Sequence, residues 1–487
     1  MKPGKQFGFL LILLLALILR IYMLLTNVNS IESDQAIIGL MALHILEGER
    51  PILYYGQQYY GPLDAYLTAP LIAIFGSNRM VIRIVPVLFS LAFIYVTYLL
   101  GKQLYSESVG WYSALYAAIS PPLMTFRSLR ADAIYIILLV IGNLSLILFY
   151  AWQVSPSKRK MAALIGLLLF GLWLHPLMGY YLLSMGGVWL TSRIFSKRRL
   201  DSEGASFSIL RLFRGEVFLI QGSAMWYIKV MITTTIPIMF GLVVPPQLLP
   251  SNIEGGVALL EPIWKTVALI SSLLILLFII WAGIRLINQG QALLPIFFAI
   301  TFFTFTASSI ILRVNLNTLI MPRYLASLYS AIPFGVYTLF YFTKKRVWLR
   351  PVIMLALLLI NLYGNLSIKI DPVPYRLLNW MVQQEGRQYI YTDYWTGYWL
   401  VFESGEKVIA SIFDDDNQVG LNRYKTYAKQ VNDSRHPQYV YFSGTNNERE
   451  FRNFLDASGI TYTQSSIDRY VIYSNLSSHV KYPLGTP

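Results

Sequence analysis

The chain alternates long apolar runs with short polar ones. It opens on FGFLLILLLALILRIYMLL, 19 residues broken by a single arginine, close to the roughly 20 residues that a helix needs to cross a bilayer. Runs of comparable length recur near 81–101, 109–126, 132–152, 161–175, 177–195, 225–244, 263–287, 292–312, 322–342 and 350–367. They predict about eleven membrane helices. The first run has no small-residue cleavage pattern behind it and many equally apolar runs after it, so it reads as a retained helix and not as a secretory signal.

Two regions break the pattern. Within the first loop (26–80), helical periodicity runs from Gln35 to Glu47, and GPLDAYLTAPLIAIFG (61–76) forms an apolar helix too short to span but suited to the membrane interface. Long structured loops between helices are usually functional. In the tail, β-rich runs (QYIYTDYW, KVIASIF, QYVYF, RYVIYSN) alternate with helical ones such as REFRNFLDASG. The expected fold is therefore mainly α: a polytopic bundle over 1–367 with a structured first exterior loop, followed by a small α/β domain over 368–487.

Composition agrees. Hydrophobic residues make up 55% of the 487 positions and charged residues 13%, about half the roughly 25% of soluble domains. There is no cysteine, which excludes disulfides, thiolate metal sites and cysteine nucleophiles. The net charge of +14 is uneven: residues 368–487 hold 12 Lys and Arg against 13 Asp and Glu, leaving 27 against 12 before them. Basic residues gather at Lys2 and Lys5, in SPSKRK (155–160), in SKRRL (196–200) with Arg211 and Arg214, and in KKRVWLR (344–350). Short basic loops mark the cytoplasmic side, which accounts for the charge better than a nucleic-acid groove. The expected protein is multi-pass in the cell (inner or plasma) membrane, with a cytoplasmic N-terminus and the first loop and tail facing the periplasm or cell exterior. Membrane lipids are partners and nucleic acid is not.

Motifs for nucleotide binding and for zinc proteolysis are missing, and the four histidines (His44, His175, His436, His479) are scattered. What remains is a group of charges at the outer membrane face. Glu32, Asp34 and Asp64 lie in the first loop, Arg127, Arg130 and Asp132 in RSLRADAIY, and Arg313 and Arg323 around PRYLASLYSAIP. Each has a plain structural reading. Asp34 can cap a helix starting at Gln35, Asp64 complements the dipole of its own helix, and the arginines, Arg20 included, can anchor in head groups. His175 can hydrogen-bond at a helix end before Pro176, or touch substrate, and the tyrosines Tyr54, Tyr55, Tyr59 and Tyr60 suit a membrane belt. The run DDD (414–416) is a solvated loop. Taken together, the carboxylates could deprotonate a hydroxyl while the arginines hold a phosphate leaving group.

These residues resemble the GT-C superfamily of polytopic glycosyltransferases, in particular family 39-like members such as protein O-mannosyltransferases and lipid A aminoarabinose transferases. The likeness is carried by SDQAIIGLMALHILEGERPILYYGQQYYGPLDAYLTAPLIAIFG, RIVPVLFSLAFIYVTYLLGKQLY, RSLRADAIYIILL and PRYLASLY. It implies transfer of one sugar, with inversion, from a polyprenyl-phosphate donor to an unknown lipid, glycan or protein acceptor outside the membrane, without a nucleotide sugar. It further implies that Asp34 is the catalytic carboxylate of the first loop, the base that accepts the proton of the acceptor hydroxyl. The Asp-Glu pair usual there is Asp34-Gln35 here, so its second carboxylate is missing. Asp132 matches the acid of the second exterior loop, and Arg323-Tyr324 the pair facing the lipid phosphate, where Arg127 and Arg130 would join. Glu32, Asp64 and His175 complete the expected substrate contacts. Glu32-Ser33-Asp34 also resembles the acidic pairs that hold a divalent cation in some relatives, so Mg²⁺ or Mn²⁺ is a possible cofactor and the metal stays unassigned. The rival readings are a transporter or lipid flippase, and a non-catalytic assembly or receptor protein; transporters place polar sites near the midplane, often within inverted repeats, and no such repeat is visible.

Overall fold

The computed structural model describes residues 3–201, 230–241, 262–311, 321–368 and 373–484. Among these, six helices are long and apolar enough to cross a membrane: Gly4–Thr26, Val81–Leu104, Ile134–Val154, Leu269–Asn288, Arg323–Phe342 and Leu349–Leu366. The protein is a multi-pass membrane protein. In chain order its helical part is α1 (Pro3–Thr26), α2 (Ser33–Leu46), α3 (Leu63–Phe75), α4 (Ile84–Leu104), α5 (Glu107–Ala118), α6 (Pro122–Arg127), α7 (Ile134–Val154), α8 (Lys158–Leu174), α9 (Gly179–Asp201), α10 (Pro262–Asn288), α11 (Leu293–Ile311), α12 (Ile332–Phe342) and α13 (Leu349–Leu366). A 3₁₀ stretch, Met321–Ala331, leads into α12. Arg313 and both ends of the expected run 225–244 (225–229 and 242–244) lie outside the described residues.

The run expected as one helix at 109–126 is two. Pro121 and Pro122 cannot donate backbone hydrogen bonds, so the helix stops at Ala118 and restarts at Pro122. Carbonyls freed inside a bilayer need partners. Asn361 and Asn365 of α13 donate to Ile119 O and Ser120 O, each at 2.9 Å, and Arg20 of α1 donates to Ala118 O at 3.1 Å. Arg20 is therefore buried, 1% exposed, and does not anchor in head groups as its position in the first helix suggested. The other face of α1 turns Leu10, Leu14, Ile18 and Leu25 outward, which costs nothing against lipid tails.

Inside the bundle, α4 and α7 are joined by Asn143 donating to Thr97 Oγ1 at 3.1 Å. Gly142 lets the ring of Tyr181 lie against α7, where a Cβ would come within 2.1 Å of Tyr181 Cζ. Tyr181 in turn shares a 2.7 Å hydrogen bond with Ser330, which fixes the 3₁₀ stretch against α9.

After α14 (Tyr375–Gln383) the tail forms a five-stranded sheet from β1 (Gln388–Asp393), β2 (Val408–Phe413), β3 (Gln438–Phe442), β4 (Thr463–Ile467) and β5 (Tyr470–Ser474), in the order β2-β1-β3-β5-β4. β1 is parallel to both β2 and β3, with Ile390 opposite Ala410 and Gln438, while β5 runs antiparallel to β3 and β4. Helices α15 (Tyr394–Glu403), α16 (Lys425–Asp433) and α17 (Asn446–Ala457) connect the strands. Asp393 starts α15 by accepting from the N–H groups of Trp395 and Thr396.

Helix α15 lies along α2 of the first loop. Ser33 donates to Tyr394 O at 2.6 Å where both helices begin, and farther along the Phe402 ring fills the space over Gly39, where a Cβ would meet it at 2.2 Å. Phe402 is 3% exposed, and burial of such a ring stabilises by about 1.5–3 kcal/mol. An Arg79–Glu403 ion pair closes the same seam.

Candidate functional site

The site is built on the N-terminal turn of α2. The helix begins at Ser33, with Glu32 at the cap position and no side chain bonded to the free N–H groups. Asp34 therefore does not cap; it sits in the first turn, where its charge complements the dipole, and its carboxylate turns away toward the tail. Tyr394 donates to Asp34 Oδ1 at 2.6 Å and the Arg423 guanidinium stands 3.9 Å from the same oxygen. Asp34 Oδ2 makes no hydrogen bond with the described residues, and the side chain keeps 21% of its surface.

Tyr394 and Arg423 are the functional candidates that reading the sequence misses. Arg423 donates from Nε to Tyr394 Oη at 3.1 Å. With the Gln57 amide turned to satisfy its neighbours, the Gln57 oxygen accepts from both terminal nitrogens of Arg423 at 2.7 and 2.8 Å. Gly56, at φ +65°, leaves room for the Arg423 backbone, which a Cβ there would meet at 2.9 Å. A signal for Tyr394 does exist. It follows the C-terminal end of a parallel strand, the position from which open α/β sheets present functional groups. No comparable signal marks Arg423.

The second loop supplies a buried charge network. Asp132 accepts from Arg127 Nη1 at 3.2 Å through Oδ2 and from Arg130 Nε at 2.7 Å through Oδ1, and Arg130 also pairs with Glu32. Both oxygens of Asp132 are thus committed to cations. Arg323 differs: it donates to Tyr324 Oη at 3.0 Å and pairs with no carboxylate among the described residues. The Nε atoms of Arg127 and Arg323 are buried and have no partner among the described residues. Both guanidinium groups lie over the Tyr135 ring, at 5.5 and 5.9 Å, and both feel the charge of Asp34. Two buried cations with donors unused among the described residues can hold an anion.

Asp64 stands behind this surface. It is fully buried, its Oδ1 accepts from the Ala65 N–H at 3.0 Å, and burial pushes its carboxyl up to about 8, with nearby backbone N–H groups offsetting only part of the cost. His175 ends α8, accepting from the Leu177 N–H at 3.1 Å. Its ring packs against Tyr59, Tyr60 and Tyr135, about 5.8–5.9 Å between centroids, so it braces the aromatic wall of the site. The structure brings Glu32, Asp34, Arg127, Arg130, Asp132, His175, Arg323 and Tyr324 into one region, and Asp64 beneath it.

Among the described residues no complete ligand set for a divalent cation is formed. Glu32 is committed to Arg130, Asp34 shares its exposed region with Arg423, and the described residues contain no group of three carboxylate or imidazole ligands.

A membrane bundle with acids on a structured first loop, arginines on the second loop and on the 3₁₀ stretch, and an α/β unit from the tail has a GT-C-like fold. Residues 60–210 match the family described as dolichyl-phosphate-mannose-protein mannosyltransferase. The chain is similar to an oligosaccharyltransferase of Archaeoglobus fulgidus solved with Zn and sulfate, at 14% identity, 95% of this chain, 73% of that chain and a TM-score of 0.50. The same comparison with the archaeal oligosaccharyltransferase AglB of that organism, bound to an inhibitory peptide and a dolichol-phosphate, gives 14% identity, 97%, 75% and 0.51. ArnT from Cupriavidus metallidurans bound to undecaprenyl phosphate matches at 11% identity over 98% of this chain and 99% of that one, with a TM-score of 0.44. At these identities the likeness is one of fold. No curated protein sequence matches the chain.

Proposed function

We propose that the protein is an inverting glycosyltransferase that moves one sugar from a polyprenyl-phosphate donor to an acceptor hydroxyl at the outer face of the membrane. The observation that carries this reading is that Asp34, whose Oδ2 is unengaged among the described residues, shares one region with Arg127 and Arg323, two buried arginines whose Nε groups have no partner among those residues. The match of residues 60–210 to a lipid-phosphate mannosyltransferase family and the dolichol-phosphate in the AglB complex support the donor class.

The proposed reaction is a direct displacement at the anomeric carbon. Asp34 takes the proton of the acceptor hydroxyl as that oxygen attacks the anomeric carbon, and the bond from that carbon to the phosphate oxygen breaks. The electron pair leaves with the polyprenyl phosphate, whose added charge meets Arg127 and Arg323. Asp132 works through its arginines by fixing Arg127 and Arg130 in place. An apolar cavity supports the same reading for the lipid tail. The segment opened by Arg323 continues through Leu328, Ile332, Gly335 and Leu339 along an apolar cavity of about 510 Å³ that also meets Phe298 and Phe342. No step is assigned to a metal. In this reading the N-terminus is cytoplasmic, and the first loop and the unit formed by residues 373–484 share the exterior face.

The test is transfer of label. Proteoliposomes holding the full chain are given undecaprenyl-phosphate hexoses and pentoses labelled in the sugar, with delipidated cell-envelope extract as the acceptor pool. Label passing into the extract with release of undecaprenyl phosphate is the expected result. Donors crossing the bilayer intact, with no label transferred, would favour a flippase instead.

A further inference from the structure

We infer that Tyr394 and Arg423, supplied by the tail, are positioning residues for Asp34, holding its Oδ1 so that Oδ2 faces the acceptor hydroxyl. The inference rests on the reading of Asp34 as the base.

A carboxylate on the exposed first turn of a helix can rotate about two bonds, and either oxygen can then point toward solvent, cations or substrate. Here Oδ1 is held by the Tyr394 hydroxyl at 2.6 Å, a short distance for a bond to a charged acceptor. Tyr394 is itself held. Its hydroxyl accepts from Arg423 Nε at 3.1 Å, which leaves its own proton directed at Asp34. Burial and the nearby Asp34 charge push the Tyr394 phenol well up, so it stays a donor across the physiological range. Arg423 is fixed on its far side by the Gln57 oxygen and lies over the rings of Tyr54 and Tyr394, 5.9 and 5.4 Å from their centroids.

The chain Gln57–Arg423–Tyr394–Asp34 thus begins and ends in the first loop and passes through the tail. Its position is set by backbone: Ser33 Oγ donates to Tyr394 O and Trp395 O, so the first turn of α2 and the first turn of α15 are locked together. Tyr54, from the same loop, donates to Asp34 O at 3.2 Å and steadies the turn from the other side. The site is incomplete without residues of the tail, of which Tyr394 lies 360 positions from Asp34 in sequence.

Tyr394→Phe keeps the ring that packs on Trp395 and Tyr398 and removes only the donor. In the full-length protein it is expected to lower kcat roughly 10- to 100-fold, the range for losing a hydrogen bond to a charged group, with the donor KM unchanged. Arg423→Gln lowers kcat similarly, and Arg423→Lys, which restores the charge without the planar fork, recovers part of it. A second readout needs no turnover: modification of Asp34 by a hydrophobic carbodiimide at fixed pH, followed by peptide mass spectrometry. Freed from Tyr394, the carboxyl of the Phe variant is expected to react several-fold faster, with the melting temperature as in wild type. Unchanged kcat together with an unchanged labelling rate would overturn the inference, as would a loss of kcat fully accounted for by a lower melting temperature. If labelling accelerates as expected but Asp34→Asn transfers sugar like wild type, the contact stands and the reading of Asp34 as the base fails.

Discussion

The two ends of α2 are chemically opposite. At its start, among the described residues, Asp34 has one oxygen held and one free, in the same region as two buried arginines with unused donors. At its end the polar groups are closed on each other. His44 meets Tyr55 Oη and Tyr427 Oη, each at 3.0 Å, and Glu406 at 3.4 Å. Tyr427 donates to Glu406 at 2.6 Å, and Tyr55 and Tyr424 both donate to Glu49. The hydrogen bond from His44 holds the Glu406 carboxyl below its usual range, and at Glu49 the two tyrosine hydroxyls outweigh the desolvation that opposes them. Both ends join the first loop to the tail with similar residue types. One end is saturated and fastens the seam; the other keeps spare valence, and spare valence is what a reaction needs.

The contrast predicts a graded set of outcomes. Arg127→Gln and Arg323→Gln strip donors from the open end, and each is expected to reduce sugar transfer about 10²- to 10³-fold, read as initial rates at saturating acceptor. Gly39→Val pushes a side chain into the Phe402 ring; overpacking of this kind costs about 1–3 kcal/mol, and limited proteolysis should reveal a tail that detaches from α2. His44→Ala leaves the Glu406 and Tyr427 groups short of a partner at the closed end. It is expected to cost about 1–2 kcal/mol of stability, seen as a lower melting temperature in detergent, with transfer per folded molecule close to wild type.

The last effect is a dependence of stability on pH, and it comes from Asp64. Its folded value is near 8 against an ordinary 3.8, so between those values the folded protein keeps a proton that the unfolded chain releases. Stability from this group is therefore lost as pH rises through the window, by at most about 1.4 kcal/mol per pH unit. Asp64→Asn should flatten that slope in melting curves taken across neutral pH, and an unaltered slope would show that Asp64 is ionised in the fold.

Most of the bundle is legible in the sequence because lipid imposes one rule, an apolar run of spanning length, and the six spans obey it. The break at Pro121-Pro122 is hidden inside an apolar run, since its repair by Arg20, Asn361 and Asn365 depends on helices far away in sequence. The strands and helices of the tail follow the alternation of QYIYTD and its neighbours. Where the tail docks does not, because Gly39 and Phe402 carry no mark of their pairing. The same holds for the site. Asp34, Arg127, Asp132 and Arg323 stand out as charges bordering apolar runs, a costly arrangement that calls for explanation. Tyr394 and Arg423 sit among ordinary polar neighbours, and only tertiary contact distinguishes them.

The most direct test compares wild type with Asp34→Asn, reconstituted in the same proteoliposomes and supplied with a labelled undecaprenyl-phosphate sugar that the wild type uses. Loss of a positioned base costs about 10²- to 10⁴-fold, so the variant should bind the donor normally and release undecaprenyl phosphate slower by that factor. Release at the wild-type rate from a well-folded Asp34→Asn protein would contradict the account.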